Sequence, residues 1–331
     1  MEFFSTLENA LAARTHLLTA PHQTALRLFN GFREGWPELV VEVYADTLVL
    51  LNHANPPQAL SPTPGEIANF YRHNLPWLNC AIVKNRHTTQ DELRRGIILF
   101  GDRPAREIIE HGIRYALDLT LNQDTSFYLD TRNLRQWAKD TLANQRVLNT
   151  FAYTGSLGVA AMAGGAGQVI HVDLSRTFLN LAKTSYTLNG FPIRRTDFRA
   201  SDFFPTVNTL KRESALFDCI FLDPPFFSTT AKGRVDLVNE STRLINKVRP
   251  LIADGGWLVA INNALFVSGA EYIHTLEALC ADGYLSLSAL IPIPDDCIGY
   301  PQTIQRHLPA DPAPFNHATK IAVLKVRRKA N

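Results

Sequence analysis

Apolar positions along the 331-residue chain change rhythm near residue 112. Before that point, short apolar and β-branched runs are separated by turn residues. Leu39 to Leu51 is such a run, broken by Ala45-Asp46, and it predicts a β-hairpin. Residues 1–24 predict a leading helix and a loop. Asn55 to Gly65 holds four prolines and a serine and reads as a loop. Glu66 to His73 predicts a short helix, and Ala81-Ile82-Val83 and Ile97-Ile98-Leu99 two further strands. Residues 1–112 therefore read as a small α+β domain.

From residue 113 to 331 the pattern alternates between short apolar runs of four to seven residues and longer helical stretches. Val147 to Phe151 predicts a strand, followed by Gly155 to Gly158 and an Ala-rich helix that stops at Gly164-Gly165. Val169 to Val172 is the next strand, and Thr177 to Leu188 the next helix. Asn189-Gly190 ends that helix, because both residues tolerate the left-handed conformation of a helix C-terminus. Asp218 to Leu222 is a strand, then a helix runs to about Val248, with a strand over Trp257 to Ile261 and a helix near Ala270 to Ala281. Strands over Leu285 to Ile291 and Ile321 to Val326 complete the series. Such alternation predicts an α/β domain whose parallel sheet carries helices on both faces.

Composition narrows the class. Hydrophobic residues make up 46% and charged residues 19%, enough for a sizeable core and against global disorder. Net charge is only +2, which excludes a strongly basic coat but not a local basic groove. Residues 1–110 carry ten basic against twelve acidic side chains, so the positive balance sits in the second part. It ends in Lys325, Arg327, Arg328 and Lys329, a solvated basic run that could touch phosphate. No stretch approaches the ~20 apolar residues of a membrane helix. Glu2 and Glu8 replace the basic start of a secretory signal, so the chain reads as cytoplasmic. Cys80, Cys219, Cys280 and Cys297 form no Cys-x-x-Cys pair and should be reduced there. No His/Asp/Glu spacing suggests a metal site, and His171 in its apolar strand reads as a core residue.

Candidate chemistry gathers after the predicted strands. Gly155 and Gly158 follow the first of them, where glycine permits a sharp turn and close backbone approach to a ligand. Two glycines alone are also what a packing turn contains. Asp173 lies eighteen residues after Gly155, at the end of the next strand, where an acid can accept from ribose hydroxyls or cap a helix together with Ser175. The Gly-x-Gly-x-x-Gly fingerprint of dinucleotide sites is not met, which favours an adenosine-containing ligand without phosphates, such as S-adenosylmethionine. Asp202 and Phe203 follow the third strand and could take the amine and ring of adenine; a loop acid beside a core aromatic is the alternative. Asp223-Pro224-Pro225-Phe226 is the sharpest signal. The first proline excludes helix at Asp223, and the pair makes a rigid turn that aims a carboxylate and a ring out of a strand's carboxyl end.

Those residues resemble the class I S-adenosylmethionine-dependent methyltransferases of large-subunit ribosomal RNA. The resemblance rests on Asp223 to Phe226, Tyr153-Thr154-Gly155 and Val172 to Thr177, with Phe127 to Arg132 and Leu28 to Glu42 upstream. It implies a Rossmann-like, seven-stranded methyltransferase sheet with a smaller N-terminal α+β domain that docks RNA. It implies S-adenosylmethionine contacts at Phe127, Tyr153, Thr154, Gly155, Ser156, Asp173, Leu174, Asp202, Phe203 and Asp223, and catalytic roles for Asp223, Pro224, Pro225 and Phe226. The partner would be 23S ribosomal RNA or a large-subunit precursor.

Two branches of that family differ in chemistry. Cytosine C5 is a poor nucleophile and needs a cysteine thiolate to add to the ring first. The family carries that cysteine after the fifth strand, where this chain reads Ile261-Asn262-Asn263-Ala264. Guanine N7 already has a lone pair and needs only positioning. The missing cysteine favours guanine N7 in 23S rRNA; cytosine C5 methylation, with a thiol such as Cys297, is the alternative. A nicotinamide-dependent oxidoreductase is disfavoured by the failed fingerprint, and a non-catalytic RNA-binding module by the intact Asp-Pro-Pro-Phe turn.

Overall fold

A computed structural model describes residues 2–328 and divides the chain into two compact units. The first is Met1–Asp130 with Pro294–Leu308; the second is Thr131–Ile293 with Pro309–Asn331.

The first unit is built from α1 (Glu2–Arg14), β1 (Ala25–Asn30), α2 (Gly31–Glu34), β2 (Leu39–Tyr44), β3 (Thr47–Asn52), α3 (Pro64–Asn74), β4 (Cys80–Asn85), α4 (Asp91–Arg95) and β5 (Ile97–Phe100). A hairpin of β6 (Glu107–Glu110) and β7 (Ile113–Ala116) follows. The sheet runs β1-β2-β3-β4-β5 in spatial order. The β2–β3 turn sits where the sequence predicts it, with Ala45 at φ +48°. Only β3 and β4 pair in parallel, because α3 carries the chain back between them. Thr63 and Glu66 cap α3 reciprocally, and Pro64 occupies its first turn. Apolar residues of α1 and α3, among them Phe3, Leu7, Ile67 and Tyr71, close one core with alternate residues of the strands.

The second unit comprises α5 (Arg132–Thr141), β8 (Arg146–Thr150), α6 (Ser156–Ala163), β9 (Gln168–Asp173), α7 (Arg176–Leu188), β10 (Phe198–Ala200), α8 (Phe203–Arg212) and β11 (Phe217–Leu222). It continues through the hairpin β12 (Phe227–Thr230) and β13 (Gly233–Asp236), α9 (Ser241–Val248), β14 (Ile252–Asn262), α10 (Gly269–Cys280) and β15 (Leu285–Ile291). After α11 (Asp295–Ile298), which belongs to the first unit, β16 (Lys320–Val326) ends the sheet. Seven strands lie in the order β10-β9-β8-β11-β14-β16-β15. Leu148, Ile220, Leu222, Leu258 and Ala260 face one core with α8, α9 and α10. The intervening residues point to the other face, where α5, α6 and α7 pack in series.

Three expectations need correction. The sheet is mixed, not parallel: β16 runs antiparallel between β14 and β15. No crossover helix joins β15 to β16, so nothing forces them parallel. The division expected between residues 112 and 113 falls inside the β6–β7 hairpin. The basic run near the C-terminus is only partly solvated. Lys325 lies 3.4 Å over the Trp257 ring, and Arg328 donates to the carbonyls of Pro250 and Ile252. Lys329 lies outside the described residues.

Residues 294–308 return to the first unit through a buried polar knot. Arg14 and Glu34, both fully buried, form a two-pronged ion pair at 3.0 Å. Arg14 also donates to the Asp296 carbonyl, and Glu34 accepts from Asn30 N and the Thr303 hydroxyl. The Asp296 carboxylate accepts from Arg27 N, and Asn30 Nδ2 donates to the Cys297 carbonyl. Removing one member strands a charge in a dry core, which costs about 3–5 kcal/mol. Glu34→Ala should therefore lower the urea midpoint by that equivalent, while Arg14→Met/Glu34→Leu together should recover most of it. A loss below about 1 kcal/mol for Glu34→Ala would contradict this account.

Candidate active site

The chain passes from β8 outward through β9 to β10, then returns to lay β11 on the other side of β8. Strand order thus reverses between β8 and β11, and open α/β sheets hold ligands outside the carboxyl ends at such a reversal. Thr150 at the end of β8 donates its hydroxyl to the Phe221 carbonyl of β11 at 2.7 Å, tying the two sides together.

The turn leaving β8 is unusual in its backbone. Phe151, Tyr153 and Gly155 all have positive φ, at +53°, +49° and +79°. Side chains resist that region, so something must hold the turn. Asp173, at the end of β9, does so. Its Oδ2 accepts from Tyr153 N and its Oδ1 from Ser175 N, both at 2.8 Å. Ala152 N adds a bond to the Val172 carbonyl. Burial raises the Asp173 carboxyl, against the pull of those two backbone donors.

Gly155 and Gly158 serve packing as much as approach. A Cβ on Gly155 would stand 2.6 Å from Ala182 of α7, and one on Gly158 would stand 2.3 Å from His171 of β9. His171 is itself buried, bonded to Tyr186 at 3.0 Å and stacked on Phe198, and burial lowers it to about 3. Thr154 is buried, Ser156 half-buried as the first residue of α6, and Leu174 is 63% exposed.

Asp202 caps α8, accepting from Phe204 N at 2.8 Å. Its other oxygen accepts from the Thr230 hydroxyl of the β12–β13 hairpin at 2.7 Å. Gly233 of that hairpin lies on Phe204, whose ring a Cβ would meet at 2.4 Å. Phe203 is buried with its ring stacked on Phe151 at 4.6 Å. Asp223 and Pro224 follow β11 with Pro224 buried, while Pro225 and Phe226 are exposed. The structure therefore brings Tyr153, Asp173, Leu174, Asp202, Phe203 and Asp223 to one edge of one sheet. Phe127 belongs to the first unit, buried, its ring 5.0 Å from Tyr115 and its carbonyl accepting from Tyr44 and Thr125.

Sequence reasoning singled out Phe226 but missed the hairpin and the rest of the apolar rim beside it. Phe226, Phe227, Val238, Leu265 and Phe266 are all more than 40% exposed and follow β11 or β14. Asn262, at the carboxyl end of β14, is buried. Its amide donates to the Leu237 carbonyl and the Ser241 hydroxyl, and its oxygen accepts from Ala264 N. Among the described residues of the second unit, no cysteine ends a strand on this edge. Cys219 is buried within β11 and its thiol is pushed up by burial. Cys280 ends α10, which runs back from the carboxyl edge towards the start of β15. Cys80 and Cys297 are buried in the first unit. Asn316 clasps Ile293 through its N–H and carbonyl, so the Pro314 to His317 stretch is a structural loop.

A seven-stranded sheet with the last strand in sequence reversed, and carboxylates following its strands beside the change in strand order, is the framework of a methyltransferase that uses S-adenosylmethionine. The S-adenosylmethionine-dependent methyltransferase family profile matches residues 94–282. Ribosomal RNA large subunit methyltransferase I of Aeromonas salmonicida is 32% identical over 296 residues, 86% of this chain and 71% of that protein. Ribosomal RNA large subunit methyltransferase K/L of Shewanella amazonensis is 35% identical over 187 residues, 56% of this chain and 25% of that protein. A putative methyltransferase complexed with S-adenosylhomocysteine superposes with a TM-score of 0.84 at 22% identity, over 98% of this chain and 81% of that one. The chain belongs to the S-adenosylmethionine-dependent methyltransferase family.

The edge fits that cofactor. S-adenosylmethionine carries ribose hydroxyls, an exocyclic amine and a sulfonium cation, and acceptors are what Asp173, Asp202 and Asp223 offer. When bound, it supplies a methyl group activated by the adjacent positive sulfur.

Asp173 generates a test. Replacing it with Ala removes the clamp on two turns together with a charged acceptor worth about 1.5–3 kcal/mol per hydrogen bond. Affinity for S-adenosylhomocysteine by calorimetry should fall at least tenfold. The pH response follows from the raised carboxyl. Its charged form is disfavoured in the fold, so acidification protonates it above the ordinary aspartate range. Affinity should drop as pH falls through that value, and Asp173→Asn should lack this step.

Proposed function

We propose that the protein transfers a methyl group from S-adenosylmethionine to a ring nitrogen of a base in large-subunit ribosomal RNA, guanine N7 of 23S rRNA. The relatives, both ribosomal RNA large subunit methyltransferases, support ribosomal RNA as the substrate, and with it a cytoplasmic site of action. One observation supports a nitrogen target: among the described residues of the second unit, the carboxyl edge of the sheet bears acids and aromatic rings but no cysteine. Attack from cytosine C5 would need that thiol; a guanine N7 lone pair does not.

In this reading the turn from Tyr153 to Ser156 lies along the methionine portion. Asp173 receives the ribose hydroxyls, and Asp202 receives the adenine amine. Leu174, 63% exposed, walls the adenine, while Phe203 is buried in the core against Phe151 and supports the Asp202 turn, the core-aromatic alternative for that residue. Asp223 orients the acceptor base towards the methyl group, Pro224 and Pro225 fix its turn, and the exposed Phe226 ring stacks on the flipped base. Rate comes from alignment of lone pair and methyl carbon, with Asp223 placed by two locked φ angles.

The decisive experiment removes all four cysteines. Methyl transfer to ribosomal RNA should survive, with a modest stability loss from the Cys219 site. Asp223→Ala should lower kcat by about 100-fold, the cost of losing alignment. Phe226→Ala should weaken RNA binding by about tenfold, as the loss of one stacking ring does. Host 23S rRNA from a gene deletion, analysed by mass spectrometry, should lack a single 7-methylguanosine. A cysteine-dependent covalent adduct on RNA containing 5-fluorocytosine would replace this reading with C5 chemistry.

A further inference from the structure

One apolar feature on the carboxyl edge of the sheet takes no part in the chemistry described above. Among the described residues, Phe266 is the most exposed large apolar side chain, at 73%, and Leu265 beside it is 42% exposed. Val267 of the same loop lines a cleft with Val238, which is itself exposed. Apolar side chains left in water and gathered in one place mark a contact surface. Strand register fixes where this one lies. Leu222 of β11 pairs with Ala260 of β14, so Asp223 stands level with Ile261. β14 ends one residue later, at Asn262, and the loop of residues 263–268 opens beside the Asp-Pro-Pro-Phe turn.

The loop is anchored at both ends. Ala264 donates its N–H to Asn262 Oδ1 at 2.9 Å, and its carbonyl accepts from Lys320 Nζ at 3.0 Å. Lys320 is fully buried at the start of β16 and also donates to the Ala318 carbonyl. At the far end, Ser268 and Glu271 cap α10 reciprocally. Only Leu265, Phe266 and Val267 lie between these fixed points. A ring carried on so short and anchored a span loses little conformational freedom when a partner clamps it.

Position says what the partner is. Anything seated permanently on Phe266 would crowd the turn that an acceptor base has to reach, so the occupant arrives and leaves with the substrate. Chemistry on a base takes that base out of its stack and leaves a gap between its neighbours. Phe226 is already committed to the flipped base. Phe and Leu side chains are among those that proteins insert into opened base steps. We propose that Phe266, backed by Leu265, is a wedge that enters the base stack of the substrate RNA where the target base leaves. The inference rests on the reading of the protein as a methyltransferase that flips its target base. It makes Phe266 a positioning residue: the ring holds the gap open and never touches the reacting atoms.

The test uses the full chain with S-adenosylhomocysteine and two fluorescein-labelled RNA hairpins. Both span the guanine whose methylation the gene deletion removes, and in the second hairpin the nucleotides on either side of it are abasic. Phe266→Ala should weaken binding to the intact hairpin by about tenfold and lower kcat/KM for its methylation by a similar factor. Phe266→Trp should bind it as wild type does. On the abasic-flanked hairpin, wild type and Phe266→Ala should bind equally, because the wedge has no bases to stack on, whereas Phe226→Ala should weaken binding to both. Affinity of Phe266→Ala for S-adenosylhomocysteine should match wild type. Undiminished binding of Phe266→Ala to the intact hairpin would overturn the wedge, and so would an equal loss on the two hairpins. Loss of a dimer in Phe266→Ala on gel filtration, with RNA affinity unchanged, would assign the ring to a second copy instead. Failure of the wild-type protein to bind the intact hairpin would overturn the RNA methyltransferase reading itself.

Discussion

The site depends on one carboxylate that holds two turns at once. Asp173 accepts from the backbone of Tyr153, in the turn after β8, and from Ser175, in the turn after β9. Three residues of the first turn sit at positive φ, a conformation that would relax if its anchor were lost. The side chain that ends one strand therefore fixes the shape of the neighbouring strand's exit. Ligand contacts on that edge inherit their geometry from it.

The same logic extends across the sheet. Asp202 caps α8 and grips the β12–β13 hairpin through Thr230, and Gly233 seats that hairpin on Phe204. Phe226 and Phe227 are thereby presented from a segment fixed at both ends, by the proline turn on one side and the hairpin on the other. Exposed rings on an anchored segment lose little conformational freedom on stacking, which favours tight engagement of a flat partner. Asn262 is bound inward to Leu237 and Ser241, so it braces the loop after β13 rather than facing a substrate.

Much of this was legible in the sequence where local chemistry decides it. The alternating strands and helices, the acids at strand ends and the Asp-Pro-Pro-Phe turn all follow from periodicity and from what proline forbids. The hairpin after Phe226 was not legible, because its strands are four residues each with a single large apolar side chain apiece, Phe227 and Val235, too few to show a period. The reversal of β16 is a tertiary choice with no local signature. Gly155 and Gly158 show a subtler gap: the sequence marks them as small, but only the packing of His171 and Ala182 shows which neighbours need the space. The return of residues 294–308 to the first unit was equally hidden, since Asp296 accepts from the Arg14 guanidinium and the Arg27 backbone N–H, 282 and 269 positions away.

That return has a consequence for synthesis. A ribosome delivers the chain from its N-terminus, so Arg14, Asn30 and Glu34 emerge long before Asp296, Cys297 and Thr303. Until the later segment arrives, the Arg14 guanidinium lacks its bond to the Asp296 carbonyl and the Glu34 carboxylate its bond from the Thr303 hydroxyl. The N-terminal unit therefore begins to form first yet finishes late, after nearly all of the methyltransferase sheet has been translated. The order of completion runs against the order of the sequence: the first unit receives its last polar bonds after β15 is made and before β16, the strand that joins β15 to its sheet.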